Sequence, residues 1–226
     1  MSLKSTVKHT LYGPPGIRPR EIKRGLLKGF RFNVDSGVES LRLMGMAERE
    51  IEADIRRFTS RAVSALDIGA NDGWYTIFFA SCPSVQRVYA FEPETDLLQK
   101  LQDNFALNDP SLLKKVTCVK KLVGNRSDDR WCTIDEVAPD LQRPVIFKID
   151  VEGGELDVLR GSAKMLAKEG CMLVIETHSM DMEIQCQKFL RDMGYKTQVV
   201  PNGWYRMFVP EGRQIEHNRW MTAARD

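Results

Sequence analysis

The 226-residue sequence has no apolar run near the roughly 18 residues that a membrane-spanning helix needs. No apolar secretory signal follows its N-terminal residues. Its five cysteines are odd in number, and no two of them have C-x-x-C spacing. These absences argue against an integral membrane segment, a disulfide-based fold and a zinc site built on paired thiolates. We therefore expect a cytoplasmic globular protein with buried free thiols.

An excess of charge of one sign is also lacking, because 33 basic and 31 acidic residues give a net charge of +2. The balance is uneven, however. Residues 1–31 contain eight Lys or Arg and only one acid, Glu21, so they carry +7 and the rest of the chain carries −5. Such a block is typical of a solvated terminal segment. The alternative is an arm that touches an anionic substrate, nucleic acid or membrane surface. We expect residues 1–31 to add little to the hydrophobic core.

From residue 62 onward, short apolar runs alternate with amphipathic helical patterns. The strand-like runs lie at residues 62–68, 87–91, 115–120, 145–149 and 172–175. Strands that alternate with helices predict an α/β fold, with a doubly wound, mostly parallel sheet covered on both faces. The end of the chain differs, because two β-rich runs at 195–200 and 204–209 flank Pro201-Asn202-Gly203. This pattern predicts an antiparallel terminal hairpin.

A glycine-rich turn at residues 67–73 (DIGANDG) connects the first of these strands to its helix. Ligands bind at this edge of open α/β sheets. A dinucleotide fingerprint would need glycine where Asn71 and Trp74 stand, so a diphosphate cradle is disfavoured. The carboxylate of Asp67 suits a cationic ligand better. A tight strand-to-helix turn without a ligand is the alternative interpretation.

Glu92 follows the second strand, 19 residues after Gly73. An acidic residue at this place can accept hydrogen bonds from both hydroxyls of a ribose. An exposed loop carboxylate is the alternative, but the distance from the glycine-rich turn favours the ribose.

Acidic residues and a histidine follow the fourth and fifth strands. Asp150 ends the fourth strand, and Glu152 and Glu155 flank the start of the next helix, where negative charge is favourable in any case. Glu176 and His178 end the fifth strand and share one face, because side chains alternate along a strand. We expect crowding and partial burial to raise the pKa of at least one acid at this edge.

Taken together, these segments resemble the FkbM family of class I S-adenosylmethionine-dependent methyltransferases. The resemblance rests on DIGANDGWYT at 67–76, FEP at 91–93, TIDEV at 133–137, FKIDVEGGELDVLRG at 147–161 and ETH at 176–178. It implies a seven-stranded sheet with a reversed terminal hairpin, S-adenosylmethionine as cofactor, and O-methylation of a sugar or natural-product hydroxyl. It also implies that the amino-acid end of the cofactor is held by Asp67, Gly69, Asn71 and Gly73, and its ribose by Glu92. Gly154 departs from the family, which more often has alanine there.

We expect residues 1–46 to form a basic lead-in and cap, and residues 47–226 to form the methyltransferase domain. The general base is expected to be Asp150 or His178, with Glu152 and Glu176 orienting the substrate or the base. In a variant mechanism, Asp150, Glu176 and His178 hold a divalent metal ion.

The expected partner is a small-molecule or glycan acceptor, and no nucleic acid is expected. Two other classes of function stay open. One is a nicotinamide-dependent oxidoreductase. The other is a non-catalytic binding module of the same fold that uses its basic N-terminal arm on an anionic partner.

Overall fold

The computed structural model describes residues 14–139, 141–203 and 218–225. The strands are Ile17–Glu21 (β1), Arg31–Asp35 (β2), Ser64–Ile68 (β3), Arg87–Phe91 (β4), Val116–Val119 (β5), Leu122–Val123 (β6), Trp131–Cys132 (β7), Val145–Ile149 (β8), Cys171–Thr177 (β9), Lys196–Val200 (β10) and Arg219–Ala224 (β11). The α-helices are Ser40–Leu43 (α1), Glu52–Thr59 (α2), Trp74–Ser81 (α3), Thr95–Ala106 (α4), Ile134–Val137 (α5), Glu155–Arg160 (α6), Ala163–Leu166 (α7) and Met180–Asp192 (α8). Short 3₁₀ turns lie at Arg49–Ile51 and Pro110–Lys115.

A seven-stranded sheet of order β10-β11-β9-β8-β3-β4-β5 forms the centre of the fold. The strands β3, β4, β5, β8 and β9 run parallel, whereas β11 is antiparallel to both β9 and β10. The doubly wound sheet and its antiparallel terminal pair are thus confirmed. The partner of β10 is Arg219–Ala224, and the run at 204–209 that was predicted as the partner lies outside the described residues.

Both faces of the sheet are covered, because its central strands are apolar on both sides. Along β8, Ile146 belongs to the core on one face, and Phe147 belongs to the core on the other. Helices α2, α3 and α4 pack on the face of Ile146. Helices α5 to α8 pack on the face of Phe147. The result is a three-layer arrangement with the sheet in the middle.

The expectation that residues 1–31 add little to the core is wrong for the described part of this segment. Within it, Ile22 and Leu27 are fully buried and belong to the same hydrophobic cluster as α2 and α3, as do Phe32 and Val34 directly after it. The charge density of the segment concealed this pattern, since its basic residues alternate with a few well-spaced apolar ones that point inward. The domain boundary expected after residue 46 stays a prediction.

Hydrogen bonds from backbone amides to asparagine side chains attach the hairpin of β1 and β2 to the rest of the fold. The amide of Asn33 donates to Oδ1 of Asn104 in α4 at 2.9 Å, and the amide of Arg31 donates to Oδ1 of Asn108 at 2.9 Å. Nδ2 of Asn104 in turn donates to the carbonyl of Asp72 at 2.9 Å. One asparagine therefore connects the N-terminal hairpin with the glycine-rich turn.

All five cysteines are free thiols. Cys132, Cys171 and Cys186 are buried as expected, and Cys82 is half-buried. Cys118 is exposed instead, because it lies on β5 at the edge of the sheet. Among the described residues, no helix is long and apolar enough to cross a membrane.

The burial of apolar side chains in the segment at residues 22–34 predicts that they stabilise the whole domain. Phe32→Ala removes a fully buried ring that packs edge-on against Trp74, with ring centroids 5.2 Å apart. We expect the free energy of unfolding to fall by about 3–5 kcal/mol. Val38→Ala is the control, because Val38 is 81% exposed, and it should change that free energy by less than about 0.5 kcal/mol. Denaturant unfolding measures both, and equal values for the two variants would show that the segment is separable.

Candidate active site

The register of the central strands places the predicted site residues on one face of the sheet. Asp67 of β3 pairs with Lys148 of β8. Two residues further along, Gly69, Asp150 and Glu176 follow in line at the carboxyl ends of β3, β8 and β9, since side chains alternate along a strand. The chain order reverses between β3 and β8, and open α/β sheets bind ligands at such a switch point.

The centre of this face is Lys148, a residue to which the sequence analysis assigned no role. Lys148 is only 2% exposed, and its Nζ donates to the carbonyl of Gly69 at 3.0 Å and to Oδ2 of Asp150 at 3.2 Å. Oδ1 of Asp67 lies 3.7 Å from the same ammonium. Burial disfavours the charged form, but the carboxylates of Asp150 and Asp67 outweigh it and raise the pKa of Lys148. The ammonium is therefore a permanent positive charge.

Asp67 has its cationic partner inside the protein. Its carboxyl group is fully buried, accepts a hydrogen bond from Oγ1 of Thr76 at 2.6 Å and faces Lys148. Burial raises the pKa of Asp67, although Lys148 and Thr76 oppose the shift. From the sequence, this carboxylate was expected to face a cationic ligand. In the structure, the cation that it faces is the ammonium of Lys148.

The glycine-rich turn needs its glycines for packing against neighbouring protein atoms. Gly69 has φ +80°, and a Cβ on it would lie 1.9 Å from the carbonyl oxygen of Asp150. Gly73 has φ +91°, and a Cβ there would lie 2.7 Å from Cγ of Leu101. The sequence predicts that this freedom serves the close approach of a ligand. In the structure, the groups that approach closely are Asp150 at the end of β8 and Leu101 of α4.

Glu92 lies beside the glycine-rich turn, as the spacing predicts. Its Oε2 accepts the amide of Asn71 at 2.9 Å, and its Oε1 accepts the amide of Glu94 at 3.0 Å. A carboxylate has about four lone-pair directions, so each oxygen keeps acceptor capacity beyond these contacts. Asn71 has φ +49°, a left-handed conformation that asparagine tolerates and that directs its amide at Glu92.

The acid–histidine cluster consists of Asp150, Glu176 and His178. Nε2 of His178 lies 3.7 Å from Oδ1 of Asp150 and 4.0 Å from Oε2 of Glu176. Burial and the adjacent Asp150 carboxylate raise the pKa of Glu176 to about 10, as predicted for at least one acid at this edge. Burial alone would raise the pKa of Asp150 as well, but Lys148 outweighs it and lowers that pKa. The two carboxyl groups are therefore unequal, and Asp150 is the ionised one.

Of the two glutamates at the start of α6, Glu155 is the one that contacts the cluster. Its Oε1 lies 2.5 Å from Nδ1 of His178, and Glu155 is fully buried. Burial disfavours the imidazolium, but Glu155 and Asp150 outweigh it and raise the pKa of His178. Glu152, which the sequence analysis named as an orienting residue, is exposed and makes no hydrogen bond or ion pair within the described ranges of the chain.

Two more residues of this face, Tyr75 and Glu48, were assigned no role from the sequence. The hydroxyl of Tyr75 in α3 donates to Oε2 of Glu48, a half-buried residue with φ +50°. The ring centroid of Tyr75 lies 5.1 Å from Nζ of Lys148. Burial raises the pKa of Glu48, and Asp150 adds to the shift. Glu48 precedes the first 3₁₀ turn, where nothing in the local pattern marks it as a site residue.

Arg42 of α1 connects this short helix, which follows the β1–β2 hairpin, to the glycine-rich turn. Its guanidinium donates to both carboxylate oxygens of Asp72, at 2.5 and 2.9 Å. The same group lies 5.5 Å from the ring centroid of Phe32 and 5.0 Å from that of Trp74. Bidentate pairs of this kind are geometrically specific, so Arg42 holds the turn in one conformation.

The position of Lys148 predicts a large effect on stability. In Lys148→Met, the carboxylates of Asp67 and Asp150 lose their buried cation, which should lower the free energy of unfolding by about 3–5 kcal/mol. Lys100→Met on the exposed face of α4 makes the same chemical change at the surface and should cost less than about 0.5 kcal/mol. Denaturant unfolding at neutral pH compares the two variants. A Lys148→Met protein as stable as the wild type would contradict the central role of this ammonium.

Comparison with known protein families identifies the FkbM methyltransferase domain over residues 67–131 and 128–197. These segments span more than half of the chain and contain the glycine-rich turn, Glu92 and the acid–histidine cluster. Among curated proteins, no sequence matches this chain.

Solved structures of methyltransferases share the fold. A methyltransferase FkbM from Methylobacillus flagellatus KT is 16% identical, with a TM-score of 0.58 over 83% of this chain and 53% of that protein. A ribosomal protein L11 methylase from Lactobacillus delbrueckii subsp. bulgaricus is 11% identical, with a TM-score of 0.54 over 80% of this chain and 79% of that protein. A putative rRNA-methylase from Clostridium thermocellum is 12% identical, with a TM-score of 0.52 over 78% of this chain and 96% of that protein.

The chain spans about half the length of the Methylobacillus flagellatus protein. At these identities the likeness shows the fold, which is the Rossmann-like fold of class I methyltransferases. With a family match over more than half of its residues, this chain belongs to the FkbM methyltransferase domain family.

Proposed function

We propose that this protein is an S-adenosylmethionine-dependent methyltransferase that methylates a hydroxyl oxygen of a sugar or natural-product acceptor. The observation that carries the proposal is the contact between Glu92 and the amide of Asn71, which joins the loops after β4 and β3 beside the switch point of a sheet of this family. A nucleoside cofactor needs a tight turn after β3 and an acceptor for its ribose hydroxyls after β4, close to each other. This contact brings the two together.

The residues present fit S-adenosylmethionine. Glu92 keeps free lone pairs for the ribose hydroxyls, and Gly69, Asn71 and Gly73 would hold the amino-acid end. Asp67 contributes as a positioning residue, because its partner Lys148 also donates to the carbonyl of Gly69 and so fixes the turn. When bound, the cofactor supplies a methyl group on a sulfonium centre.

The acid–histidine cluster is suited to activation of the acceptor. A hydroxyl must lose its proton as its oxygen becomes a nucleophile, and a positioned base contributes about 10²–10⁴-fold to such a step. Asp150 is the ionised carboxylate beside the glycine-rich turn, and His178 lies next to it. Glu155 orients the imidazole through Nδ1, and Glu176 and Glu152 are the proposed orienting groups for the acceptor.

The acceptor is proposed from the family resemblance alone. The neighbours' names refer to ribosomal protein L11 and to rRNA, so the shared fold does not select one class of acceptor. A small molecule or glycan is our proposal for this chain. The absence of a nucleic-acid partner stays a prediction.

Binding of S-adenosylmethionine tests the proposed cofactor site. In Glu92→Gln, the loss of the carboxylate charge weakens hydrogen bonds worth about 1.5–3 kcal/mol, so the dissociation constant should rise about 10- to 150-fold. Glu94→Gln is the matched control, because the Glu94 side chain is exposed, and it should bind like the wild type. Isothermal calorimetry measures both, and equal affinities in the two variants would remove Glu92 from the site.

A second comparison separates cofactor binding from acceptor activation. Asp150→Asn keeps the shape of the side chain but removes its charge, so it should bind S-adenosylmethionine within a few-fold of the wild type. It should also lower turnover by about 10²–10⁴-fold once an acceptor is known.

Mass spectrometry of ligands that co-purify with the wild type is expected to find S-adenosylhomocysteine. Bound nicotinamide would favour the oxidoreductase, and salt-dependent polyanion binding without cofactor affinity would favour the binding module.

A further inference from the structure

We propose that Asp150, Glu176 and His178 form a binding site for one divalent cation of the Mn²⁺ type. The inference deepens the proposed function and rests on it for its catalytic meaning, but the cation site itself is argued from contacts alone. One oxygen of each carboxyl group and one ring nitrogen converge, and the three atoms lie within 4.8 Å of one another.

Asp150 and Glu176 are hydrogen-bonded to each other, but the spacing of the His178 nitrogen from both carboxyl groups suits a shared cation better than direct hydrogen bonds. Nε2 of His178 lies 3.7 Å from Oδ1 of Asp150 and 4.0 Å from Oε2 of Glu176, and both distances exceed the normal range for a hydrogen bond. Small divalent cations bind nitrogen and oxygen ligands at about 2.0–2.2 Å. In octahedral geometry, adjacent ligands are then about 3 Å apart and opposite ligands about 4.2 Å. The observed separations fall between these two values.

Unpartnered buried atoms provide independent support. Oε2 of Glu176 and Nε2 of His178 have no hydrogen-bond partner in the part of the chain that the structure describes, and Glu176 is only 2% exposed. A buried polar atom without a partner costs free energy, and such atoms in folded proteins usually have a ligand or water. A proton shared by two of the three atoms leaves the third without a partner, whereas one cation satisfies all three.

The surroundings hold these three groups in the geometry of metal ligands. Nδ1 of His178 lies 2.5 Å from Oε1 of the fully buried Glu155, so the neutral ring donates there and directs the lone pair of Nε2 into the cluster. A carboxylate behind a histidine is a common support for a metal ligand. Lys148 donates to Oδ2 of Asp150, which leaves Oδ1 for the cation. Two of the ligands also lie side by side at the ends of β8 and β9, on rigid elements.

The donor set indicates the kind of cation. Carboxylates suit Mg²⁺, Ca²⁺ and Mn²⁺, whereas imidazole suits transition metals, so the mixed set favours a first-row ion such as Mn²⁺ over Ca²⁺. Beside an acceptor hydroxyl, such a cation stabilises the negative charge that develops on the oxygen as its proton leaves to solvent. Asp150 and His178 would then act as ligands, and neither of them would need to take the proton itself.

Direct Mn²⁺ binding tests the site without any acceptor. The full chain is treated with a chelator, dialysed and titrated with MnCl₂, and free Mn²⁺ is followed by its electron paramagnetic resonance signal. We expect one ion per chain in the wild type and a dissociation constant at least 10-fold weaker in Glu176→Gln and in His178→Ala. Glu155→Gln, which acts through the histidine, should weaken binding by about 10- to 100-fold.

Asp181→Asn is the matched control, because it changes an exposed carboxylate three residues after His178, and it should bind Mn²⁺ like the wild type. Circular dichroism verifies that each variant is folded. Wild-type binding weaker than about 1 mM, the weak limit of dedicated cation sites, would overturn the cation site. Binding that is unchanged in both ligand variants would also overturn it.

Two mixed outcomes separate this inference from the proposed function. If S-adenosylmethionine binds and Mn²⁺ does not, the cation site is wrong and the methyltransferase proposal stands. If Mn²⁺ binds at the three residues and S-adenosylmethionine does not, the cation site stands and the proposed function is wrong.

Discussion

The buried ammonium of Lys148 is the interaction on which the site depends. A charge in the interior is tolerated only if opposite charges and hydrogen-bond acceptors surround it. Asp67 and Asp150 provide the charge, and the carbonyl of Gly69 provides an acceptor. These partners lie on two neighbouring strands and on the turn after the first, so the requirements of one ammonium fix the relative positions of all three. The glycine at 69 follows from the same closeness, because a side chain there would collide with the carbonyl of Asp150.

The N-terminal segment is attached to this centre by two independent contacts. Glu48 accepts a hydrogen bond from Tyr75, whose ring lies beside the Lys148 ammonium. Arg42 binds the Asp72 carboxylate of the glycine-rich turn. Arg42 and Glu48 follow the basic segment 1–31 in the chain, and they form one side of the candidate site. The same hydrophobic cluster extends from residues 22–34 to α2 and α3, on both sides of the boundary expected after residue 46.

The parallel strands could be predicted from the sequence because their burial on both faces leaves continuous apolar runs, such as Val145–Ile149. The partner of β10 could not, because β11 contains Thr222 and two alanines and is placed by its contacts with β9 and β10. The same division applies to the site. Asp150, Glu176 and His178 lie at the carboxyl ends of strands, which the apolar runs before them reveal in the sequence. Lys148 and Glu155 are buried ionisable residues whose role depends on partners distant in the chain, and Glu48 does not lie at a strand end.

The carboxyl groups at the carboxyl edge of the sheet support the proposed choice of nucleoside cofactor. Asp150, Asp67, Glu48 and Glu176 all act on the ammonium of Lys148, so carboxyl groups outnumber ammonium groups there. A dinucleotide would bring a pyrophosphate, and its negative charges would lie near this edge without compensation. A sulfonium centre and an amino group bring positive charge, and so does a divalent cation. The acids at the ends of β8 and β9 therefore favour the positively charged groups of the proposed cofactor over a pyrophosphate.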